Sequence, residues 1–285
     1  MEESIYETLH YFALFSYPPT IEELWTFLKK KTSKKNVKQL VYMLSKSKKL
    51  ITDTYANRVT LAGYPSFFSM QKRRNRITEE KKKKVGLYMK ILSYIPWIQL
   101  VGYSGSVSMN NAVEADDIDV FIIAKSQRLW TARFCAVLTA LLLRIKRPRN
   151  VKYAANTVCL NLFFDERDMH IPPIKQTAYV AHEVLQMKVI FQKYRTYMHF
   201  IESNDWVFTF YPNARTALTE HMYVDEIDIN SVITYQSFAW LGWVGEGFFQ
   251  FVQRLIMQKR RTKERVGETQ LWFFPDDFED KVKTS

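Results

Sequence analysis

The stretch VGYSGSVSMNNAVEADDIDVFIIA, residues 101–124, sets a small-residue turn before two spaced carboxylates and an apolar strand. Ser104, Gly105 and Ser106 can bring backbone amides and hydroxyls close to a phosphate, because glycine lets the chain turn and approach without a side-chain clash. Asp117 and Asp119 are two positions apart. On a strand their side chains share a face and can hold a divalent cation from one side, while Ile118 and Val120 point to a core on the other. Asp116 belongs with that second face, at the start of the strand, as a turn or helix contact. A plainer reading, in which Ser106 caps a helix that Asp117 and Asp119 merely end, leaves unexplained an acidic pair on one face of a strand whose continuation is wholly apolar.

Gly105-Ser106, ten intervening residues and then Asp117-Ile118-Asp119 running into VFIIA resemble the signature of the polymerase-beta-like nucleotidyltransferase superfamily. The resemblance implies that Gly105 and Ser106 bind nucleotide phosphates. It also implies that Asp117 and Asp119 hold Mg²⁺, with Mn²⁺ as a substitute, while a hydroxyl attacks the α-phosphorus of an NTP such as ATP. Hard carboxylate oxygens beside phosphate ligands suit that ion, which would stabilise the charge of the transition state and favour pyrophosphate departure.

Working outward, residues 129–145 have the length and hydrophobicity of a helix packed across a sheet, and TVCLNLFF, 157–164, is its expected partner strand. Alternation puts Cys159, Asn161 and Phe163 on one face and Leu160, Leu162 and Phe164 on the other. The superfamily commonly places a third carboxylate on a neighbouring strand, and the comparable position here is Asn161. Asparagine can contact a metal or ribose but brings no negative charge. Asp165 and Glu166 belong to a DERD segment that reads as an exposed turn. Lys125 and Arg128 after the metal strand, and Lys152 before the next one, are candidate phosphate contacts beside the alternative of plain surface charge. His182 and Glu183 lie on a periodic helix with Ala178, Ala181, Val184 and Leu185. Glu183 is a candidate general base, against a surface or packing role, and the scattered histidines suggest no zinc site.

Toward the N-terminus, Pro18 and Pro19 divide two helices, and Thr20 with Glu23 forms a capping-box pattern. Val37, Leu40, Val41 and Leu44 make the apolar stripe of a third helix opposite Lys34, Lys35, Lys38 and Lys46. LITDTYANRVTLAGY reads as two short strands around Ala56 and Asn57. Three helices and a hairpin make a winged helix-turn-helix, whose third helix can enter a DNA groove, although a lysine-rich solvated helix with a docking role fits as well. A basic connector and helix follow, with KRRNR at 72–76 and EEKKKK at 79–84. Glu79 and Glu80 near its start and lysines beyond them agree with the helix dipole.

From about residue 175 the pattern is mainly helical. Asn230 is an expected cap, Gly245 and Gly247 expected points of kinking or division, and Trp240, Trp243, Phe248, Phe249 and Phe251 a packing surface, base pocket or dimer interface. The final LWFFPDDFEDK suggests a tail folded back on the body.

The expected fold class is α+β. Residues 1–64 form the winged helix, 65–92 the basic connector, 93–174 a small mixed-sheet nucleotidyltransferase domain and 175–285 an accessory helical region. Aromatic content of 15% with only eight glycines and nine prolines excludes disorder and fibrous repeats. Residues 1–100 carry 19 basic and 8 acidic side chains of a chain whose net charge is +12, so attraction to RNA or DNA belongs to the first third. Two cysteines are too few for a disulfide framework and suggest a cytoplasmic protein, and no apolar run is long enough for integral membrane association. The expected activity is transfer of a nucleoside monophosphate to an acceptor hydroxyl, an RNA end among the candidates, with protein and small-molecule acceptors and homo-oligomers left open. The alternative is a nucleic-acid-binding regulator or adaptor with a degenerate pocket.

Overall fold

In the computed structural model the described residues are 1–148, 154–221, 239–258 and 265–273. They form a mixed α+β architecture with a central sheet and flanking helices, in two compact units. The first comprises Met1–Thr78, Pro172–Leu185 and Asp205–Val224, the second Glu79–Ile171, Gln186–Asn204 and Asp225–Ser285.

The first unit opens with α1 (Glu2–Ala13), α2 (Ile21–Thr26) and α3 (Lys34–Lys46), followed by the hairpin β1 (Leu50–Asp53) and β2 (Arg58–Leu61). Thr20 and Glu23 form the expected capping box, the Glu23 amide donating to Thr20 Oγ1 at 3.1 Å and the Thr20 amide to Glu23 Oε2 at 2.7 Å. Val37, Val41 and Leu44 bury one face of α3 against Ile5, Leu9, Leu24, Leu50 and Val59. Lys35, Lys38, Tyr42 and Lys46 stay exposed on the other. The hairpin pairs Leu50 with Leu61 through Asp53 with Arg58, and Asn57 takes the positive φ of +52° that the turn needs. Arg58 at the start of β2 is turned toward the connection between α1 and α2, its guanidinium donating to Pro18 O at 2.6 Å and lying over the Tyr17 ring.

The basic connector is one helix, α4 (Ser66–Tyr94), 29 residues long. Glu79 and Glu80 therefore sit mid-helix, and the dipole explanation of their position does not hold. Lys81, first of the four lysines at 81–84, points inward at 1% exposure.

The second unit is built on a six-stranded sheet in the order β6-β3-β4-β5-β8-β7. Its strands are β3 (Ile98–Tyr103), β4 (Ile118–Ala124), β5 (Val158–Asp165), β6 (Lys188–Gln192), β7 (Arg265–Val266) and β8 (Gln270–Trp272). Among these described strands only β4 and β5 pair in parallel, joined through α6 (Leu129–Leu142); α5 is a single turn, Gly105–Ser108. The later, mainly helical part of the chain thus also lends β6, β7 and β8 to the central sheet. On one face Ile118, Val120, Ile122 and Phe163 pack with Tyr88, Leu92, Trp130 and Ala136. On the other, Phe121 and Phe164 meet Phe200 of α8 (Thr196–Glu202).

β5 carries the feature that decides the site. Its register with β4 runs Asp119↔Cys159 and Val120↔Leu160, then Phe121↔Leu162, leaving Asn161 as a bulge. The extra residue inverts the alternation. Phe163 consequently joins the core on the side away from Cys159, correcting the face assigned from simple alternation.

α7 (Ala178–Gln186), α9 (Val207–Phe210) and α10 (Ala214–His221) follow, and α11 (Ala239–Gln258) runs unbroken through Gly245 and Gly247, so neither glycine divides it. Glu246 of α11 caps α6, accepting from the amides of Trp130 and Thr131 at 2.9 and 3.0 Å. Phe249 stacks on Phe134 at 4.3 Å, while Phe248 and Phe251 are exposed. Lys152, Asn230, the side chains of Trp240 and Trp243, and the tail beyond Phe273 lie outside the described residues.

Candidate metal centre

The turn before the acidic pair is held from both ends. After β3 the Ser104 amide donates to Asp119 O at 3.1 Å. Gly105 adopts φ +59°, and a Cβ there would stand 2.8 Å from Asp119 Oδ2. Position 105 therefore needs glycine twice over, for its left-handed backbone and for the carboxylate packed against it. Ser106 Oγ donates to Asp116 Oδ2 at 2.8 Å, and the Val113 amide donates to the same oxygen at 3.0 Å. Asp116 is thus the loop-closing contact expected of it. From α4, Lys81 Nζ donates to Glu114 O at 3.0 Å and Asp116 O at 2.6 Å. Burial lowers the Lys81 amine below the ordinary lysine range, and the nearby Asp116 charge opposes that.

Beyond this loop Asp117, Asp119 and Cys159 bring one ligand atom each to within 4.8 Å of one another. Asn161, 9% exposed at the bulge, donates through Nδ2 to Asp119 Oδ1 and accepts from Cys159 Sγ at 2.5 Å. Burial, reinforced by the charges of Asp119 and Asp117, pushes the Cys159 thiol far up, so at neutral pH it is a neutral donor and no nucleophile. Two oxygens on one Mg²⁺ stand at most about 4.2 Å apart. The two carboxylates, with oxygens within 4.8 Å of one another, supply the hard donors that a small divalent cation takes from a protein, and they close on it by side-chain adjustment.

The structure packs Gly105 and Asn161 on Asp119 beside Asp117 and ties the Ser104 amide to Asp119 O, while the Ser106 side chain is held by Asp116. It does not bring Lys125 and Arg128 there: they follow the opposite end of β4, Lys125 some six residues beyond Asp119, about 20 Å along an extended strand. Arg128 instead donates to Gln127 O at 2.8 Å. Asp165 and Glu166 are also at that far end, where they accept from the Gln127 and Ser126 amides at 2.9 and 2.8 Å. A turn does follow at Glu166 and Arg167, with Arg167 exposed, but Asp165 is fully buried and paired with Arg167. Glu183 belongs to the first unit; burial raises the Tyr11 phenol there, and the charges of Tyr211 and Glu183 add to it. His182 is packed in the same unit, stacked on Phe27 at 3.9 Å.

Arg147 is the residue that sequence reasoning misses. Its guanidinium pairs with Asp117 and reaches within 3.6 Å of Cys159 Sγ. Backbone pairing puts it there: the Arg147 amide donates to Val158 O at 3.1 Å, and Lys146 bridges Val158 in parallel. Nothing in RIKRPRN distinguishes it from its neighbours. Cys159 is legible as a residue of the strand beside Asp119, and only its distance to both aspartates makes it part of the cluster.

Among the described residues no helix is long and apolar enough to cross a membrane. No family model, curated protein or solved structure matches the chain, and the functional reading rests on the residues themselves.

Proposed function

We propose that the chain is a metal-dependent nucleotidyltransferase that moves a nucleoside monophosphate from an NTP to an acceptor hydroxyl and releases pyrophosphate. The observation that carries this reading is the close packing of Gly105 on Asp119, with Asp117 alongside. A glycine-serine turn seated on Asp119 of β4, with Asp117 just before that strand, supports the reading of adjoining phosphate and metal elements. Asp117 and Asp119 would hold Mg²⁺ or Mn²⁺, which supplies charge neutralisation at the phosphates when bound. Gly105 lets the turn seat directly on the Asp119 carboxylate, so a phosphate held at this turn would lie beside the cation. Ser106 first holds the loop through Asp116, which fixes the strand start from which Asp117 emerges. Asn161 orients Asp119 through its amide and adds no charge, so proton removal from the acceptor is assigned to no carboxylate of this cluster.

The exposed Lys35, Lys38, Tyr42 and Lys46 on α3 support a nucleic acid, RNA or DNA, as the partner, and an RNA end is one acceptor consistent with it. A second reading, a nucleic-acid-binding adaptor with an inactive pocket, is favoured by Asn161 in the third position and by Arg147 on Asp117. Incubation of α-labelled NTPs with Mg²⁺ or Mn²⁺ and RNA, DNA, protein and small-molecule acceptors separates the two. Metal-dependent labelling of an acceptor supports transfer; tight nucleic-acid binding without labelling, unchanged in D117N/D119N, supports the adaptor.

A further inference from the structure

The pairing of Arg147 with Asp117 bears on the regulation of this same site, and its role depends on the reading of Asp117 and Asp119 as metal ligands. The guanidinium reaches the cluster from the β5 side, touching Asp117 and standing 3.6 Å from Cys159 Sγ. Asp117's side chain is 18% exposed and Arg147's 36%, so the pair sits at the rim, with part of the arginine open to solvent. The backbone below is fixed, by the Arg147 amide on Val158 O and by the Lys146 bridge to Val158. Movement is therefore confined to rotation of a long side chain between staggered conformers.

Electrostatics then sets two states. Two ionised carboxylates against one guanidinium leave the metal-free cluster with a single negative charge, and Arg147 neutralises one member of a pair that would otherwise repel. A divalent cation between Asp117 and Asp119 reverses the sign to a single positive charge and competes for the oxygen Arg147 holds. The displaced guanidinium, still tethered at the rim, then needs an anion. Its planar fork matches phosphate oxygens bidentately, and the polyphosphate of a nucleotide bound by the same cation is the anion within its reach.

We propose that Arg147 is a built-in counter-ion and gate: it occupies Asp117 until metal and nucleotide arrive together, then transfers its guanidinium to the nucleotide's phosphates. Metal alone binds against the arginine, while metal with triphosphate gains from it. The residue thereby couples the two ligands, disfavouring occupancy of the site by a bare ion.

The test is Mn²⁺ binding to the full chain, followed by the loss of the free-ion paramagnetic resonance signal, and calorimetric binding of α,β-methylene ATP at saturating Mn²⁺. Arg147→Gln is expected to bind Mn²⁺ alone about tenfold more tightly than the wild type and the nucleotide analogue about tenfold more weakly. Arg147→Lys keeps the charge without the fork; it is expected to keep wild-type Mn²⁺ affinity, to lose part of the nucleotide affinity, and to fold if the glutamine variant does not. Equal Mn²⁺ affinity in wild type and R147Q, abolished in D117N/D119N, overturns the gate and leaves the metal site standing. Undiminished nucleotide affinity in R147Q or R147K overturns the transfer to phosphate and the proposal with it. If neither wild type nor R147Q binds Mn²⁺ through these aspartates, the metal-site reading and the gate fall together.

Discussion

Gly105 and Asp119 are packed so closely that a single methyl group on the glycine would lie 2.8 Å from the carboxylate oxygen Oδ2. A left-handed backbone and a neighbouring charge both demand the smallest residue at this position. Gly105→Ala is expected to destabilise the chain by about 1–2 kcal/mol through the left-handed conformation alone, seen as a lowered thermal midpoint. The displaced carboxylate should weaken Mn²⁺ binding by at least about tenfold, equivalent to ~1.4 kcal/mol. Wild-type Mn²⁺ affinity in a folded G105A protein would detach the turn from the metal site.

Asn161 donates its amide to Asp119, in the place where the resemblance would put a carboxylate. Asn161→Asp replaces that hydrogen bond with a like-charge contact. In metal-free solution the variant should melt lower than the wild type, because two carboxylates then share a poorly solvated site. Adding Mn²⁺ should raise its midpoint by more than it raises the wild type's, since three carboxylates bind the ion more tightly than two. An equal Mn²⁺ shift in both proteins would place position 161 outside the coordination sphere.

The parts of this arrangement that depend on near neighbours are legible in the sequence. Thr20 and Glu23 announce a helix start because the two groups satisfy each other's amides three residues apart. Asp117 and Asp119 announce a shared face because strand side chains alternate. What escapes the sequence depends on pairing across the chain. The bulge at Asn161 exists only in the register between β4 and β5, and it moves Phe163 to the other face. Lys81 reads as one of four solvated lysines, yet carbonyls more than thirty residues away draw it inward. Glu246 caps a helix that starts over a hundred residues earlier, a pairing no local pattern announces. Arg147 reaches Asp117 through a bridge to Val158 that no local period encodes.

Lys193 provides a pH test of the second unit's packing. Burial, with the charge of Lys125 next, pulls its amine from the ordinary 10.5 down to about 8, while Nζ donates to Ile95 O at 2.9 Å. Between those two values the unfolded chain binds the proton and the folded chain does not. The cost of burying this group is therefore full below about 8 and is relieved as pH rises toward 10.5. Urea unfolding of wild type and Lys193→Met at pH 7 and pH 10 should show the wild type gaining on the variant at the higher pH. A stability difference independent of pH would show that the amine is not held in a desolvated position.

The central claim is that Asp117 and Asp119 hold the cation of a nucleotidyl transfer. The most direct measurement is incorporation of α-labelled nucleotide into acceptor, with pyrophosphate release followed in the same samples, for wild type and D117N/D119N side by side across a Mg²⁺ and Mn²⁺ series. The account predicts metal-dependent incorporation matched by equimolar pyrophosphate in the wild type, and no incorporation above background in the folded double variant. Incorporation that survives in D117N/D119N, or a wild type that transfers to no RNA, DNA, protein or small-molecule acceptor with either metal, would contradict it.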